Sequence, residues 1–487
     1  MKKNFKIVLI LILFIATFTY NRTNDICKAY EPIPSSFYGG ILEGEINIAS
    51  DNDLFDYSLN GTGTQENPYV IENQKINSET KGGIFISSTT KYITIRNCTI
   101  YSKQYGIYIV NVLNNTVSVI DNLFVVTTGV GIYLKDIIGV EISKNQCINS
   151  TRGIEVVSSK NLVIVNNNCS SNHHYGMLII NVNNSIIRKN YCINNLRYRN
   201  DYFHGIFVFQ SYTLEIIKNT CHNIISDEPG SLCSGIYIVE SEYCVAIEND
   251  CSFNKHYGFY ILDSDYIILY NNTLEHNLKG IVISSGIEIT SAIAVVYNKI
   301  ISNIEHGIVV YQDARKCYFH HNIILNNNIN ENEDYSQSID DNGKKNFWYD
   351  KQSKIGNFWS NWNLTRSYKI SSNNKLIKNK DPFPIIDLSK MEIPDIPDFP
   401  EGLKISDKAI QKIEMSLIIL SIIYVLLIIV FIHKMLKRII YLIKKQIENS
   451  EDLNLIQKTV CILQALFFVV LITLAIIVVF VLPLISF

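Results

Sequence analysis

Proline is nearly absent from the central part of the chain, where Pro229 is the only one between Tyr69 and Asp381. Alanine is also scarce, with four residues between Gly83 and Asn322. Backbone N–H groups therefore stay available to strands, and the strongest helix former is missing. The 487-residue chain has no excess of one charge, because 43 basic and 45 acidic residues leave a net charge of −2. These absences favour strands and argue against a nucleic-acid partner.

Motifs of several enzyme classes are missing as well. The chain has no glycine loop that grips phosphate and no paired-cysteine zinc pattern. The Asn-Thr-Asp and Gly-His-Gly motifs of polygalacturonase-like enzymes are absent, which leaves only the pair Asp340-Asp341. His256-Tyr-Gly-Phe259 begins like an epimerase motif but continues Tyr-Ile-Leu, where that chemistry needs Asp-Pro-His. The sequence predicts no catalytic residues, no metal ligands and no cofactor, with an enzyme kept as the alternative.

A repeated glycine followed by an apolar residue predicts the fold. Successive repeats are 22 to 30 residues apart, the period of a solenoid whose units must stack to bury their apolar faces. Within each repeat, Ile, Val, Tyr, Phe and Thr alternate with period two, which favours strands. The repeat glycines are Gly83, Gly106, Gly131, Gly153, Gly176, Gly205, Gly235, Gly258, Gly280 and Gly307. We predict an all-β fold, a right-handed parallel β-helix solenoid of about ten to twelve coils.

Asparagine recurs in step with the glycines. Because asparagine tolerates left-handed backbone and its amide bonds to the asparagines above and below, we predict a structural ladder at one corner rather than a set of ligands. The ladder residues are Asn122, Asn145, Asn167, Asn190, Asn219, Asn249, Asn272, Asn298 and Asn322.

Cysteine stands two residues after the asparagine in five consecutive repeats. These residues are Cys147, Cys169, Cys192, Cys221 and Cys251. We predict a buried stack of free thiols, because inward parallel side chains rarely meet the dihedral angle of a disulfide. Cys233 and Cys244 lie outside this column, and a disulfide between Cys233 and a neighbour stays open.

Two segments beyond the repeats carry a family resemblance. Asn60-Gly-Thr-Gly-Thr-Gln-Glu-Asn-Pro-Tyr69 is similar to the segment that caps the first coil of NosD-like right-handed parallel β-helix (parallel β-helix repeat) surface proteins. Their terminal cap resembles Phe347-Trp-Tyr with Gly356-Asn-Phe-Trp-Ser-Asn-Trp362 and Lys380-Asp-Pro-Phe-Pro384. The family name refers to a copper-delivery protein, so the resemblance adds a metal-binding or maturation factor as a second alternative. Candidate ligands for that alternative stand just before repeat glycines: His173, His174, His204, His256 and His306.

Both ends of the chain have membrane-type composition. A basic start followed by an apolar run predicts a signal peptide at 1–29, whose cleavage stays open. Two long apolar runs predict transmembrane helices at 415–432 and 460–487. The basic connection 433–459 is expected to stay cytoplasmic, which places the β-helix outside. We therefore predict an extracellular β-helix with both caps at 30–370 and a proline-rich juxtamembrane spacer at 371–413, anchored in the lipid bilayer.

Two repeats are longer than the rest and predict a ligand site. The steps from Gly176 to Gly205 and from Gly205 to Gly235 are 29 and 30 residues, and the extra residues fall at the same corner. Loops that grow from neighbouring coils project side by side. Their cationic, aromatic and acidic residues suit a sugar or an acidic glycan. The candidate ligand-binding residues are Arg197, Tyr198, Arg199, Asp201, Tyr202, His204, Asp227 and Glu228.

A second candidate surface follows from strand alternation. Residues two positions after the repeat glycine must face outward, and several are aromatic. They are Phe85, Tyr108, Tyr133, Phe207, Tyr237 and Tyr260. Such a column suits stacked sugar rings or another protein, unless the rings serve mainly to stabilise one another.

The sequence thus predicts a multi-pass cell-membrane protein whose extracellular β-helix binds or adheres to glycans or other surface proteins. The first alternative is a carbohydrate-active lyase or hydrolase. Nothing in the sequence sets the oligomeric state.

Overall fold

The computed structural model describes residues 41–386, apart from 58, 113–115, 198–202, 227–231, 312, 329–335, 342–345 and 373–378. Nearly every element in this part of the chain is a short strand, and the strands stack as a parallel β-helix with three faces. The predicted all-β solenoid is therefore confirmed. Its basis is the period-two alternation, which sends every second side chain into one shared core.

The first face, called here the glycine face, contains the strands that carry the repeat glycine or follow it directly, together with the strand that pairs with them at each end. Each strand pairs in parallel with the equivalent strand of the next coil. The strands are Ile46–Ile48, Ile84–Ser87, Tyr105–Val110, Val130–Lys135, Arg152–Lys160, Tyr175–Arg188, Phe203–Phe209, Cys233–Val239, Tyr257–Leu262, Lys279–Ser284, His306–Val310 and Ser338–Asp340.

The second face, the middle face, follows the glycine face within each coil. The long strand Tyr175–Arg188 belongs to both faces. The other strands of the middle face are Tyr69–Glu72, Ile93–Arg96, Val117–Ile120, Val140–Ser143, Val163–Val165, Tyr212–Ile217, Val245–Ile247, Ile268–Tyr270, Ala294–Val296 and Tyr318–His320.

The third face, the asparagine face, begins after the ladder asparagine. Isolated parallel bridges continue it through the central coils, where the strands are shortest. Its strands are Ile41–Glu43, Lys75–Ser78, Thr99–Ser102, Leu123–Val126, Gln146–Ile148, Thr273–Glu275, Lys299–Ile301, Ile323–Leu325 and Phe358–Trp359.

Close approach of two faces explains the repeat glycine. A Cβ atom added at Gly131 would lie 2.6 Å from the carbonyl oxygen of Gly153 and 2.8 Å from the Cβ of Cys147. Real Cβ atoms do not come so near, so glycine is required where the glycine face meets the inward column of the asparagine face.

The asparagine ladder is present and fully hydrogen-bonded. In a typical step, Asn219 Oδ1 accepts from the backbone N–H of Asn190 at 2.9 Å. Asn219 Nδ2 donates to the carbonyl of Ile187 at 2.8 Å and to Asn249 Oδ1 at 3.0 Å. Because the amides are buried, each one satisfies backbone groups that water cannot reach. The predicted structural role is therefore confirmed.

The left-handed backbone position is not the ladder asparagine, which corrects the sequence expectation. The residue just before it has the positive φ, and this residue is of mixed type, for example Lys144 at 57°, Lys218 at 54° and Glu248 at 52°. Asparagine is selected here because its amide matches two backbone groups and two neighbouring amides.

The cysteine column lies in the core. All five cysteines of the column are fully buried and free, Cys244 is also buried and free, and Cys233 is buried and in no disulfide. The predicted stack of free thiols is confirmed, and the structure shows no disulfide at Cys233. Burial raises the pKa of the Cys244 thiol to about 12, as expected for a thiol in apolar surroundings.

A short helix, Asp53–Asp56, lies near the start of the described part of the chain, and its Leu54 is buried. At the other end, rings close the core. Trp348 stacks on Phe319 at 4.3 Å, and Trp359 stacks on Tyr368 at 3.9 Å.

Buried carboxylates fix the indoles of this terminal region. Trp348 Nε1 donates to Asp340 at 3.1 Å, and Trp359 Nε1 donates to Asp381 at 3.0 Å. Strand Asn379–Asp381 pairs antiparallel with Tyr368–Ile370. The folded part thus extends beyond residue 370, where the sequence placed the start of the spacer, because the carboxylate of Asp381 completes the cap.

The remaining domain predictions concern segments outside the described residues. These are the signal peptide at 1–29, the membrane helices at 415–432 and 460–487, and the connection 433–459. Among the residues that the structure describes, no helix has the length and apolar character needed to span a bilayer. The segments stay predictions.

Candidate functional site

The outward residues of the glycine face form one column in register. Strand pairing joins Phe85 to Tyr108 and Tyr108 to Tyr133, then passes through Glu155 and Leu178. It continues through Phe207, Tyr237 and Tyr260. We call this the outer column. The six aromatic residues singled out from the sequence therefore lie in two groups, separated by a carboxylate and a leucine.

Burial of the outer column is greater than strand alternation alone predicts. Tyr108 is 9% exposed, Glu155 4% and Leu178 5%, while Phe207 and Tyr237 are half-buried. Neighbouring rings account for part of this cover. Tyr237 stacks on Tyr260 with ring centroids 4.6 Å apart and planes 4° apart. The rings of the outer column thus stabilise one another by packing, and the role of the column as a contact surface stays a proposal.

A second column covers the first and was not recognised as a unit in the sequence. It consists of the residues just before the repeat glycines, and we call it the pre-glycine column. Its members are Tyr105, Val130, Arg152, Tyr175, His204, Ser234, Tyr257, Lys279 and His306. Their rings reach the outer column: Tyr175 lies 5.6 Å from Phe207, and Tyr257 lies 5.3 Å from Tyr260. In the sequence, a polar or aromatic residue precedes nearly every repeat glycine, and this pattern could have predicted the pre-glycine column.

Charged groups of the pre-glycine column are paired. Arg152 donates to Glu155 at 2.6 Å, and Glu155 is the single carboxylate of the outer column from Phe85 to Tyr260. Burial favours a lower pKa for Arg152, but Glu155 outweighs it and the pKa is raised. This ion pair places a fixed, compensated charge between the two aromatic groups.

Lys279 forms the second pair, with Glu305 at 2.9 Å, and its ammonium lies 5.6 Å from the centre of the Tyr257 ring. Burial acts to lower the pKa of Lys279, but the hydrogen bond to Glu305 and the nearby tyrosines raise it overall. Lys279 is therefore charged at neutral pH. Its ammonium group lies beside both the ring of Tyr257 and the carboxylate of Glu305.

His204 and Ser234 are register neighbours on the same column and differ from these pairs. Both side chains are fully buried, and both ring nitrogens of His204 and the hydroxyl oxygen of Ser234 have no hydrogen-bond partner. Burial lowers the pKa of His204 to about 3. The imidazole is therefore neutral, and its ring contacts Tyr175 at 5.8 Å and Tyr237 at 4.8 Å.

The two long loops begin side by side, since Leu196–Arg197 pairs in parallel with Ile225–Ser226. Fully buried Phe203, Ile224 and Cys233 form a small separate core next to them. Of the loop residues predicted to bind a ligand, Arg197 lies on the first of these strands and His204 lies buried on the glycine face. Tyr198, Arg199, Asp201, Tyr202, Asp227 and Glu228 lie outside the described residues. Their role stays a prediction.

An acidic cavity of about 390 Å³ occupies the corner between the glycine and middle faces, and the sequence reasoning missed it. Its acids are Glu240, Glu242, Asp263, Asp265 and Glu288, and Tyr212 also lines it. Burial, Asp265 and Glu288 together raise the pKa of Glu242. A signal existed in the sequence, because Glu-Ser-Glu at 240–242 and Asp-Ser-Asp at 263–265 stand one repeat apart.

The donor set of the described residues does not fit a copper site. No group of three or more His, Cys, Asp or Glu side chains in this part of the chain is arranged to hold a metal ion. The thiols of the cysteine column are sealed in the core, and His204 is buried among rings. Soft and imidazole donors are thus present but are not brought together.

Two family models match the chain in succession. The model described as a right handed beta helix region matches residues 57–220, and the model described as periplasmic copper-binding protein (NosD) matches residues 197–364. No curated protein matches the chain.

Several solved structures are similar. The Dettilon tailspike protein is 14% identical with a TM-score of 0.44, over 58% of this chain and 60% of its own. A double mutant of the periplasmic alginate epimerase AlgG is 15% identical with a TM-score of 0.36, over 59% and 79%. The catalytic domain of a GH87 α-1,3-glucanase in complex with nigerose is 11% identical with a TM-score of 0.30, over 60% of both chains. At these values the structures carry no argument about the function of this chain.

Proposed function

We propose, from the premise that this chain is a NosD-like parallel β-helix protein, that its glycine face binds extended glycans or the glycan-bearing surface of another protein. The observation that carries the proposal is the double column on this face. Ring edges and hydroxyl groups recur along most of its coils, which stack about 4.8 Å apart, and two ion pairs lie among them. A surface that repeats along a line suits a linear polymer better than a compact small molecule.

The chemistry of the double column supports a carbohydrate ligand. Rings that stack on each other, such as Tyr237 and Tyr260, present their edges and hydroxyl groups to solvent rather than their faces. Lys279 and Glu305 add a donor and acceptors beside Tyr257. Sugars offer hydroxyl groups to hydrogen-bond and apolar C–H faces to contact rings, so both parts of the surface have a counterpart.

The location of the protein is part of the proposal. The family model that covers 197–364 describes a periplasmic protein, which agrees with an exported β-helix. We propose that the apolar runs 415–432 and 460–487 anchor the chain in the membrane with the β-helix outside. Accessibility of an epitope tag on intact cells tests this orientation, and a tag at the C-terminus is expected on the same side as the β-helix.

Glycan-array binding by the purified full-length chain tests the function. Tyr237→Ala and Tyr260→Ala are expected to weaken binding at least about tenfold, since each removes a ring and a hydroxyl group from the face. Tyr266→Ala is the matched control, because Tyr266 stacks on Tyr243 at 4.7 Å just before the middle-face strand Ile268–Tyr270 and belongs to neither column of the glycine face. No bound glycan, or an equal loss in the control, contradicts the proposal.

The alternative, a carbohydrate-active enzyme, is supported by the acidic cavity. Hydrolases use two carboxylates, one of them with a raised pKa, and Glu242 beside Asp265 has that character. A reducing-end assay on the glycans bound in the array separates the two functions. Release of sugar that Glu242→Gln abolishes, with exposed Glu141→Gln unaffected, favours the enzyme.

A further inference from the structure

We propose that His204 and Ser234 form a subsite that receives a hydroxyl group of an uncharged sugar. This inference rests on the glycan-binding function proposed above and names the class of sugar. The juxtaposition that carries it is a pair of buried, unpaired polar side chains on neighbouring coils, enclosed by the rings of Tyr175, Phe207 and Tyr237.

His204 and Ser234 bury polar atoms that have no hydrogen-bond partner in the described part of the chain. Nearly all buried polar groups in folded proteins are hydrogen-bonded, and an unpaired one costs roughly 1–3 kcal/mol. His204 Nδ1, His204 Nε2 and Ser234 Oγ are three such atoms on side chains with no exposed surface. Many buried hydroxyl groups of the solenoid are satisfied, such as Ser211 Oγ, which donates to the carbonyl of Phe209 at 2.9 Å. Some other buried atoms, such as Ser338 Oγ and Asn195 Nδ2, also have no partner, but His204 and Ser234 are register neighbours that together carry three such atoms. A single hydroxyl group from outside the chain would satisfy both neighbouring residues.

His204 and Ser234 lie between two tyrosines of the pre-glycine column. Strand pairing places His204 next to Ser234, and it places Tyr175 and Tyr257 on the two sides of this pair. Tyr175, Tyr237 and Tyr257 are each partly exposed, so the pair lies one layer of side chains below solvent. Side chains at the surface change rotamer quickly, and rotation of one of these partly exposed rings is the route by which a hydroxyl group would reach the pair.

The side chains of His204 and Ser234 can each donate and accept hydrogen bonds. A neutral imidazole offers one donor and one acceptor, and the serine hydroxyl offers a donor and acceptors. A sugar hydroxyl also donates and accepts, so one such group can satisfy both residues. A carboxylate only accepts, and it would have to shed its hydration shell beside a neutral imidazole.

The basic side chains of the pre-glycine column near His204 are balanced by glutamates. The lowered pKa of His204 keeps the imidazole neutral at physiological pH. The charged members of the pre-glycine column nearest to it are Arg152, two coils before His204, and Lys279, three coils after it. Each is already paired with a glutamate, so neither supplies an unpaired positive charge for an acidic sugar. An uncharged sugar therefore fits this part of the face better than a uronate.

The test measures binding of two probes to the purified full-length chain by calorimetry: a neutral gluco-oligosaccharide and an oligogalacturonate of equal length. The wild-type protein is expected to bind the neutral probe more tightly. His204→Phe keeps the ring volume but removes both nitrogens, and Ser234→Ala removes the hydroxyl group. Each is expected to weaken binding of the neutral probe about tenfold, the equivalent of one neutral hydrogen bond.

Stability and a control variant distinguish recognition from folding. His204→Phe is expected to keep or raise the unfolding midpoint, because it removes unpaired buried nitrogens without leaving a cavity. His276→Phe is the control, since His276 stacks on Phe253 at 5.0 Å outside the glycine face. Should His204→Phe not fold, Ser234→Ala and the ¹⁵N shifts of the His204 ring in the wild-type protein, with and without the neutral probe, provide the same readout.

Three outcomes overturn the inference. Equal binding of the neutral probe by the wild-type protein and both variants, or unchanged ¹⁵N shifts on addition of that probe, removes the subsite. Tighter binding of the oligogalacturonate removes the assignment to uncharged sugars. Absence of binding to either probe and to the whole glycan array contradicts the proposed function itself, which separates that failure from failure of the subsite alone.

Discussion

Two sets of side chains repeat once per coil, and they differ in what repetition achieves. The asparagine ladder lies inside, and each amide such as that of Asn219 exchanges hydrogen bonds with both neighbours and a backbone carbonyl. The outer column lies on the glycine face, where contacts are between rings and the surface is partly exposed. Inside, repetition satisfies backbone groups that water cannot reach. Outside, it leaves ring edges and hydroxyl groups at regular intervals.

The outer column itself has two geometries. Phe85, Tyr108 and Tyr133 pack edge to face, with interplanar angles of 74° and 72°. Phe207, Tyr237 and Tyr260 stack nearly parallel, with angles of 25° and 4°. The first group is the better packed, with Tyr108 largely buried, and the second has the more regular surface. Stability should therefore depend more on the first group, and binding more on the second.

The largest expected effect is on the inner ladder. Asn219→Leu removes the partners of Ile187 O, Asn190 N and two neighbouring amides, so we expect a loss of roughly 4 kcal/mol or more in unfolding free energy. Denaturant unfolding of the full-length chain measures it. Thr220→Leu, the same kind of change on the next, outward residue, is the control, with an expected effect within about 0.5 kcal/mol. Equal effects of the two changes contradict the role of the ladder.

The end of the ladder should respond to pH. Asn357, whose Oδ1 accepts from Asn322 Nδ2 at 2.8 Å and so extends the ladder, donates its backbone N–H to Asp381 at 2.7 Å. Burial raises the pKa of Asp381 from 3.8 to about 6. Because the folded-state pKa is the higher one, this carboxyl stabilises the fold below pH 3.8, and that contribution is lost as pH rises through about 6. The loss is on the order of 2–3 kcal/mol.

Unfolding of the wild-type protein and of Asp381→Asn between pH 4 and 7 measures this contribution. The difference between the two stabilities is expected to change over that interval, because the amide has no proton to lose. A constant difference contradicts the assigned pKa.

In the outer column, Tyr108→Ala is expected to lower the unfolding free energy by about 2–3 kcal/mol, because the ring is 9% exposed and packs on Phe85, Tyr105 and Tyr133. Tyr237→Ala is expected to lower the unfolding free energy less than Tyr108→Ala does, and to weaken glycan binding more. Parallel unfolding and binding measurements on both variants test the contrast. A larger loss of stability in Tyr237→Ala together with a larger loss of glycan binding in Tyr108→Ala would contradict the different roles assigned to the two aromatic groups.

The smallest effect is expected in the cysteine column. Cys192→Ala removes a buried sulfur atom and should cost about 1 kcal/mol. Because the described cysteines are buried and in no disulfide, a thiol reagent is expected to modify them only after unfolding. Intact mass before and after denaturation measures this, and labelling of the native column would show that the core opens.

Repetition made the coil, the buried thiols and the asparagine ladder predictable. Glycine, asparagine and cysteine each occupy a fixed place in the repeat, so their spacing alone shows which residues stack. The same logic placed Tyr237 and Tyr260 in one column. It failed at corners, where Lys144 rather than Asn145 adopts the left-handed backbone, because corner geometry depends on hydrogen bonds between coils rather than on the preference of one residue.

The sequence by itself determined the architecture, since period-two alternation and a fixed repeat decide which side chains point inward and which coil stacks on which. Only the tertiary structure decided what those outward residues do. It brought Tyr175 over Phe207, left His204 and Ser234 buried without partners, and gathered Glu242 and Asp265 at one corner. The reason is physical: lateral packing between columns depends on strand register, rotamers and the shape of each corner, none of which a one-dimensional repeat encodes.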